Sequence, residues 1–222
     1  TRIFTRIIAP LLVFDCHSAK YLYQTARKID WTAFLRTDQT LAVAANVSHS
    51  AIRHSQYAAQ VLKDAVVDPF REKTGQRPNV DIRNPDLLLN LHVHQNKARI
   101  GVDLGGGSLH RRGYRIESIA APMQETLAAT ILRLAKWNGE RPLHDPFCGS
   151  GTLLCEAFMK IRNIPAAHLR EKFGFMQLPD FDAAAWNAVK SQSDAGIVEA
   201  IPPSHSRGKD AASTNRVSGS DI

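Results

Sequence analysis

The chain has 222 residues, 44% hydrophobic and 22% charged, a balance that suits a folded protein with one or two cores and argues against wholesale disorder. Its longest apolar runs, such as 7–14, fall far below the roughly 20 residues of a membrane-spanning helix, and no basic, apolar, small-residue leader pattern precedes them, so a cytoplasmic protein is expected. The net charge of +7 is uneven: residues 1–115 hold 17 Lys/Arg against 9 Asp/Glu, a net of +8, while residues 116–222 hold 11 against 12, a net of −1. That basic first half is either a solvated surface or a surface that attracts nucleic acid.

Residues 1–14 open inside an apolar, β-branched stretch that suits a buried strand, so the chain is expected to begin within a domain. A helix is predicted over 18–29, a strand over 40–47, and a second helix over 55–73, where Tyr57, Val61, Ala65, Val66 and Phe70 recur at helical spacing; Pro69 is placed to kink its last turn. Two strands, 87–94 and 97–103, flank the polar pair Gln95-Asn96 and read as a hairpin. Glycines 105–107 then punctuate the chain. Beyond them a helix is predicted over 122–136, a short strand from about Arg141, a helix over 152–162 with Leu153, Leu154, Ala157, Phe158 and Ile161 facing inward, and, after a Ser/Pro-rich stretch, a second strand over 216–222. The expected domains are therefore an α+β unit over 1–105, a linker over 106–120, and an α/β unit over 121–222.

The chemistry concentrates in Asp145-Pro146-Phe147-Cys148-Gly149-Ser150-Gly151-Thr152, set between a strand and a helix. Gly149 and Gly151 allow a tight turn and close backbone approach to a ligand, Thr152 is placed to cap the helix, and Asp145 at the strand end can meet a cationic amino group. A bare Gly-x-Gly would also serve as a structural turn. Together these features fit S-adenosylmethionine, and the octapeptide lacks the third glycine of the dinucleotide fingerprint and the Gly-Lys-Ser/Thr of the phosphate loop, which disfavours NAD and ATP.

Three other groups of residues carry weaker chemistry. Arg53, His54 and Gln56 open the long second helix, whose amino end favours phosphate, although Ser55 could be an ordinary cap. Lys63 joins them as a candidate RNA contact further along the helix. Arg111, Arg112, Tyr114 and Arg115 could place guanidinium groups on phosphates and a ring against a base, or could form a solvated linker. His92 and His94 share a strand face but have no third ligand in view, and Cys16, Cys148 and Cys155 lack metal spacing, so no metal site and no disulfide framework are expected.

The octapeptide resembles the motif I loop of amino-methyltransferases. The segments 53–57 through 63–65, 109–115 and 121–129, in that order, extend the resemblance to RNA guanine-N2 methyltransferases with a THUMP RNA-binding domain, and within them to the branch that makes N2-methylguanosine in bacterial large-subunit ribosomal RNA. The resemblance implies a THUMP-like domain followed by the first part of a Rossmann-like class I methyltransferase, S-adenosylmethionine as cofactor and ribosomal RNA as partner. It also implies an insertion at 173–175 and 181–186, and a second motif at 219–222 in which Asp221 would accept from the ribose hydroxyls. Members have also been called N6-adenine-specific DNA methylases, which gives an alternative substrate. The family's catalytic Asn-Pro-Pro-Tyr does not occur in the 222 residues. The expectation is that the catalytic residues lie beyond Ile222, so the chain alone would be inactive, either as a fragment or as an RNA-binding adaptor.

Overall fold

A computed structural model describes residues 2–115, 121–200 and 217–219, with 198–200 and 217–219 described by backbone alone. The chain divides into two compact units: one of Arg6–Gly107 with Lys172–Phe181, the other of Thr1–Thr5, Ser108–Glu171 and Asp182–Ile222.

The first unit is built on a five-stranded sheet of strands β1 (Ile8–Asp15), β2 (Thr40–Ser48), β3 (Asn79–Val80), β4 (Leu87–His94) and β5 (Lys97–Asp103), in the order β1-β5-β4-β2-β3. β5 pairs antiparallel with β1 and β4, and β2 pairs parallel with β4 and β3. The hairpin between β4 and β5 turns on Gln95 and Asn96, both at positive φ (49° and 58°), as a two-residue connection between twisted strands requires. The expected buried first strand is instead an edge strand beginning at Ile8, with Val13 49% exposed.

Helix α1 (Ala19–Ala26) is capped by Ser18, whose Oγ accepts from the Tyr21 amide at 3.2 Å. Helix α2 (Ser55–Thr74) runs five residues past Pro69 and ends at Gly75 in the left-handed conformation (φ 73°). Its buried face is Ala58, Leu62, Ala65, Val66, Val67 and Phe70. Tyr57, expected on that face, is 52% exposed, because Ala58 and Leu62 carry the inward stripe one position further along. Together with Leu89, Leu91, Val93, Ala98, Ile100 and Trp31 these residues make the main core. At the rates typical of such side chains, each buried Leu, Ile, Val or Phe among them contributes about 1.5–3 kcal/mol to folding.

Lys172–Phe181 closes this unit. The Phe175 amide donates to Leu104 O at 3.1 Å, Gln39 Nε2 donates to Gln177 Oε1 at 3.0 Å, and the Lys172 ammonium lies 2.7 Å from Asp86 Oδ1. Gly174 is required here, since a Cβ at that position would lie 1.9 Å from Asp103 O.

The second unit contains α3 (Glu125–Leu134), β6 (Leu143–Asp145), α4 (Thr152–Ile161), α5 (Ala183–Ala200) and β7 (Val217–Gly219). Leu132, Trp137 and Ala157 form its buried centre, with Leu143, Leu153 and Ile161 packed against them. Phe158, expected inward, is 46% exposed, and the inward positions of α4 are Thr152, Glu156 and Ala157.

Candidate cofactor loop and RNA-facing surfaces

β6 and β7 pair in parallel, Leu143 with Val217, His144 with Ser218 and Asp145 with Gly219, and α4 lies between them in sequence. This is the strand–loop–helix–strand unit in which ligands collect outside the carboxyl ends of the strands. Asp145 ends β6 and its Oδ1 accepts from the Phe147 amide at 3.2 Å. The turn closes through the Gly151 amide donating to Cys148 O at 2.8 Å. Gly149 and Gly151 both take positive φ (51° and 69°), where L residues are strained, and a Cβ on Gly151 would meet no atom within 4 Å. Among the described residues the space beside Gly151 is thus open, and the amino end of α4 has no side-chain cap.

Thr152 was expected to be that cap; the cap position is Gly151, and Thr152 is the first helical residue, 2% exposed. Its Oγ1 lies 3.1 Å from Ser150 Oγ and accepts from Arg115 Nη2 at 3.0 Å. Phe147 is 73% exposed, and Pro146, Cys148, Gly149 and Ser150 lie along the loop between Asp145 and the helix. Asp221 is outside the described residues.

Residues 111–115 divide. Arg111 is exposed. Arg112 turns inward and is 3% exposed: its Nε lies 3.1 Å from Glu156 Oε1, Nη1 donates to Leu109 O at 2.6 Å, and Nη2 donates to Arg2 O. Arg115 joins the starts of α3 and α4, donating to Met123 O at 3.1 Å and to Thr152 Oγ1, with Glu125 Oε1 at 3.5 Å. Burial pushes the Tyr114 phenol well above its ordinary pKa, and the nearby Glu156 and Glu125 carboxylates add to this, so it stays neutral. The same causes, burial first and Glu156 next, raise the Cys155 thiol.

Glu125 and Glu156, which sequence reasoning did not single out, thus organise this region. The one cue was a glutamate on the inward side of an otherwise apolar helix, at i+4 from Thr152.

On the first unit, Arg53, His54 and Gln56 do come together. With Ser55, Tyr57 and Gln60 they line an open concavity of about 540 Å³ at the start of α2. The residue before α2, His54, makes no side-chain cap, and Ser55 Oγ instead accepts from the Val47 amide at 3.1 Å, fixing the helix start to β2. Lys63 lies further along, paired with Asp64. Among the described residues no group of three or more His, Cys, Asp or Glu is arranged to hold a metal ion, and no helix is long and apolar enough to cross a membrane.

A basic α+β unit is thus followed in sequence by a parallel strand pair with a glycine loop at its strand ends. Residues 16–103 match the THUMP domain family and residues 112–216 match the RMKL-like methyltransferase domain, and the chain belongs to the THUMP-containing, RMKL-like methyltransferases. It is 40% identical over 194 residues to the ribosomal RNA large subunit methyltransferase K/L of Vibrio campbellii, covering 87% of this chain and 27% of that protein. A Synechocystis sp. protein with the provisional name of RNA methyltransferase is 38% identical over 196 residues, covering 88% of this chain and 51% of its own length. The chain therefore spans about half of one relative and about a quarter of the other. Among solved structures, a predicted N6-adenine-specific DNA methylase from Listeria monocytogenes superposes with a TM-score of 0.74 at 25% identity, covering 88% of this chain and 51% of that one. A protein provisionally described as a methyltransferase, solved with SAH, superposes with a TM-score of 0.72 at 28% identity, covering 86% and 51%.

Proposed function

We propose that this chain is the RNA-binding and cofactor-loop portion of an S-adenosylmethionine-dependent enzyme that methylates the exocyclic N2 amine of a guanine in large-subunit ribosomal RNA. The carrying observation is the open loop at residues 145–152, whose two left-handed glycines lie at the carboxyl end of a parallel β6–β7 pair, in a chain that also holds a THUMP domain. The functional domains are assigned as an RNA-binding module over 1–105, a linker over 106–120 and the start of the methyltransferase over 121–222.

The residues fit the cofactor. The glycine backbone admits close approach, the uncapped amino end of α4 offers N–H groups, and Asp145 offers a carboxylate to the cofactor's ammonium group. When bound, S-adenosylmethionine supplies an electrophilic methyl group. Arg115 fixes Thr152 and so the orientation of the loop. Asp221 would take the ribose hydroxyls at the end of the second strand. Arg53, His54, Gln56, Lys63 and Arg111 would hold RNA phosphates, while Arg112 acts from inside the protein through Glu156 and Arg115 supports the loop through Thr152; Tyr114, half-buried, would stay neutral beside them. The Asn-Pro-Pro-Tyr element of the family does not occur in these 222 residues, so the chain by itself would bind without transferring methyl.

A second reading, methylation of adenine N6 in DNA, rests on the description of the Listeria structure. The experiment that tests both is transfer of labelled methyl from S-adenosylmethionine to unmodified large-subunit ribosomal RNA and to DNA, by this chain and by a form extended through Asn-Pro-Pro-Tyr. N2-methylguanosine in digests of the RNA, made by the extended form alone, is the expected product. N6-methyladenine in the DNA would replace the first reading with the second, and turnover by the short chain would refute the assignment of catalysis to residues outside it.

A further inference from the structure

The sheet of the first unit has a second face that the core does not use. Along β4 and β5 the side chains alternate, Leu91, Val93, Ala98 and Ile100 being fully buried in the core while His92, His94, Lys97 and Arg99 are exposed. Since successive strand residues point to opposite faces, these four share the open side.

The register assembles them into two cross-strand rows. One runs Val13, Arg99, His92, Asn46 and the other Asp15, Lys97, His94, Ser48. Asp15, His92, His94, Gln95, Lys97 and Arg99 line a concavity of about 380 Å³. Among the described residues neither Lys97 nor Arg99 forms an ion pair, although Asp15 is the register partner of Lys97. The imidazoles are held in place: His94 Nδ1 lies 2.9 Å from Ser48 Oγ, and its ring is 6.3 Å from that of His92 and 5.4 Å from that of His49.

From this arrangement we propose that the open sheet face, centred on Lys97, Arg99, His92 and His94, seats the sugar–phosphate backbone of RNA; the proposal rests on the RNA reading above and locates where the RNA lies. Same-face positions two residues apart on a strand are about 6.7 Å apart. That is on the order of the separation of successive phosphates, so Lys97 and Arg99 can each meet one. Arg99 offers a planar fork of donors, Lys97 a compact ammonium, and the fixed imidazole planes offer flat surfaces to riboses and bases. The surface continues toward the start of α2. The Ala51 amide donates to Asn96 Oδ1 at 2.9 Å, which ties the loop carrying His49 and Arg53 to the hairpin tip beside Lys97.

The test uses the whole 222-residue chain and a fluorescein-labelled RNA hairpin of mixed sequence, with anisotropy measured over a range of salt concentrations. Two lost phosphate contacts should weaken binding about tenfold at low salt for Lys97→Gln/Arg99→Gln and flatten the log affinity–log salt slope by about 1.4–1.8. The control Arg77→Gln/Arg83→Gln, which removes two exposed charges elsewhere, should change neither. Independently of any variant, bound RNA should protect Lys97 from acetylation, read by mass spectrometry. If the parent binds RNA and the Lys97/Arg99 variant matches it in affinity and slope, the sheet face is overturned and the RNA reading survives. If the parent binds no RNA, both fall. Displacement of the RNA by polyglutamate at equal charge concentration, as effectively as by unlabelled RNA, would overturn the assignment to a phosphodiester backbone.

Discussion

Arg112 Nε and Glu156 Oε1 are 3.1 Å apart with their side chains 1% and 0% exposed, a buried ion pair between residues 44 positions apart, with Arg2 on the other carboxylate oxygen at 3.5 Å. Replacing Arg112 leaves the buried Glu156 carboxylate with only the longer Arg2 contact, so Arg112→Gln should destabilise the second unit, by at most the roughly 3–5 kcal/mol of a buried charge left wholly without a counterion. Urea unfolding reads that loss. RNA affinity at temperatures where the variant is folded should stay at the parent's level, because Arg112 is not presented to solvent. A weakened affinity with unchanged stability would return Arg112 to the RNA surface.

The cofactor loop makes an independent prediction. Gly149 holds φ at 51°, and a β-branched side chain there costs about 1–2 kcal/mol of backbone strain and adds bulk where the backbone would approach the cofactor. Gly149→Val should abolish SAH binding in calorimetry and leave RNA binding intact. Parent-like SAH affinity in the variant would remove the loop from the cofactor site.

Asp86 supplies the pH dependence. Its burial pushes the carboxyl up, but the Lys172 ammonium and the Thr40 amide and hydroxyl outweigh this and hold it below its ordinary range. A depressed carboxyl contributes its full stability above its unfolded pKa of about 4 and loses it as pH falls through the folded value. Asp86→Asn should therefore lower the melting temperature at neutral pH, with a loss of about 1.5–3 kcal/mol, and its deficit relative to the parent should shrink below about pH 4. A deficit that stays constant down to pH 2.5 would show that the charge on Asp86 is not what ties Lys172 down.

Gly174→Ala tests the docking of Lys172–Phe181. The new Cβ would meet the backbone oxygen of Asp103, which cannot swing aside as a flexible side-chain tip can, and the cost should reach or exceed the top of the usual 1–3 kcal/mol for overpacking. Limited proteolysis should then cut within 172–181 while the rest of the first unit remains protected. Parent-like resistance and stability would contradict the close approach.

What the sequence determined by itself was whatever local order encodes. Two runs of strand character on either side of the polar Gln95-Asn96 placed β4 and β5 at Leu87–His94 and Lys97–Asp103, and the octapeptide with Asp145, Gly149 and Gly151 placed a ligand loop between a strand and a helix. Tertiary structure alone decided which way the basic residues faced. Arg111, Arg112 and Arg115 are equivalent as charges in a string, yet Arg111 is exposed, Arg112 pairs with Glu156, and Arg115 bridges Thr152 and Glu125. A charged side chain is held inside only where a distant partner offsets its desolvation, and that partner is supplied by the fold rather than by neighbours in sequence. Likewise the sequence put His92 and His94 on one strand face, but only the antiparallel register set Lys97 and Arg99 beside them to make one surface.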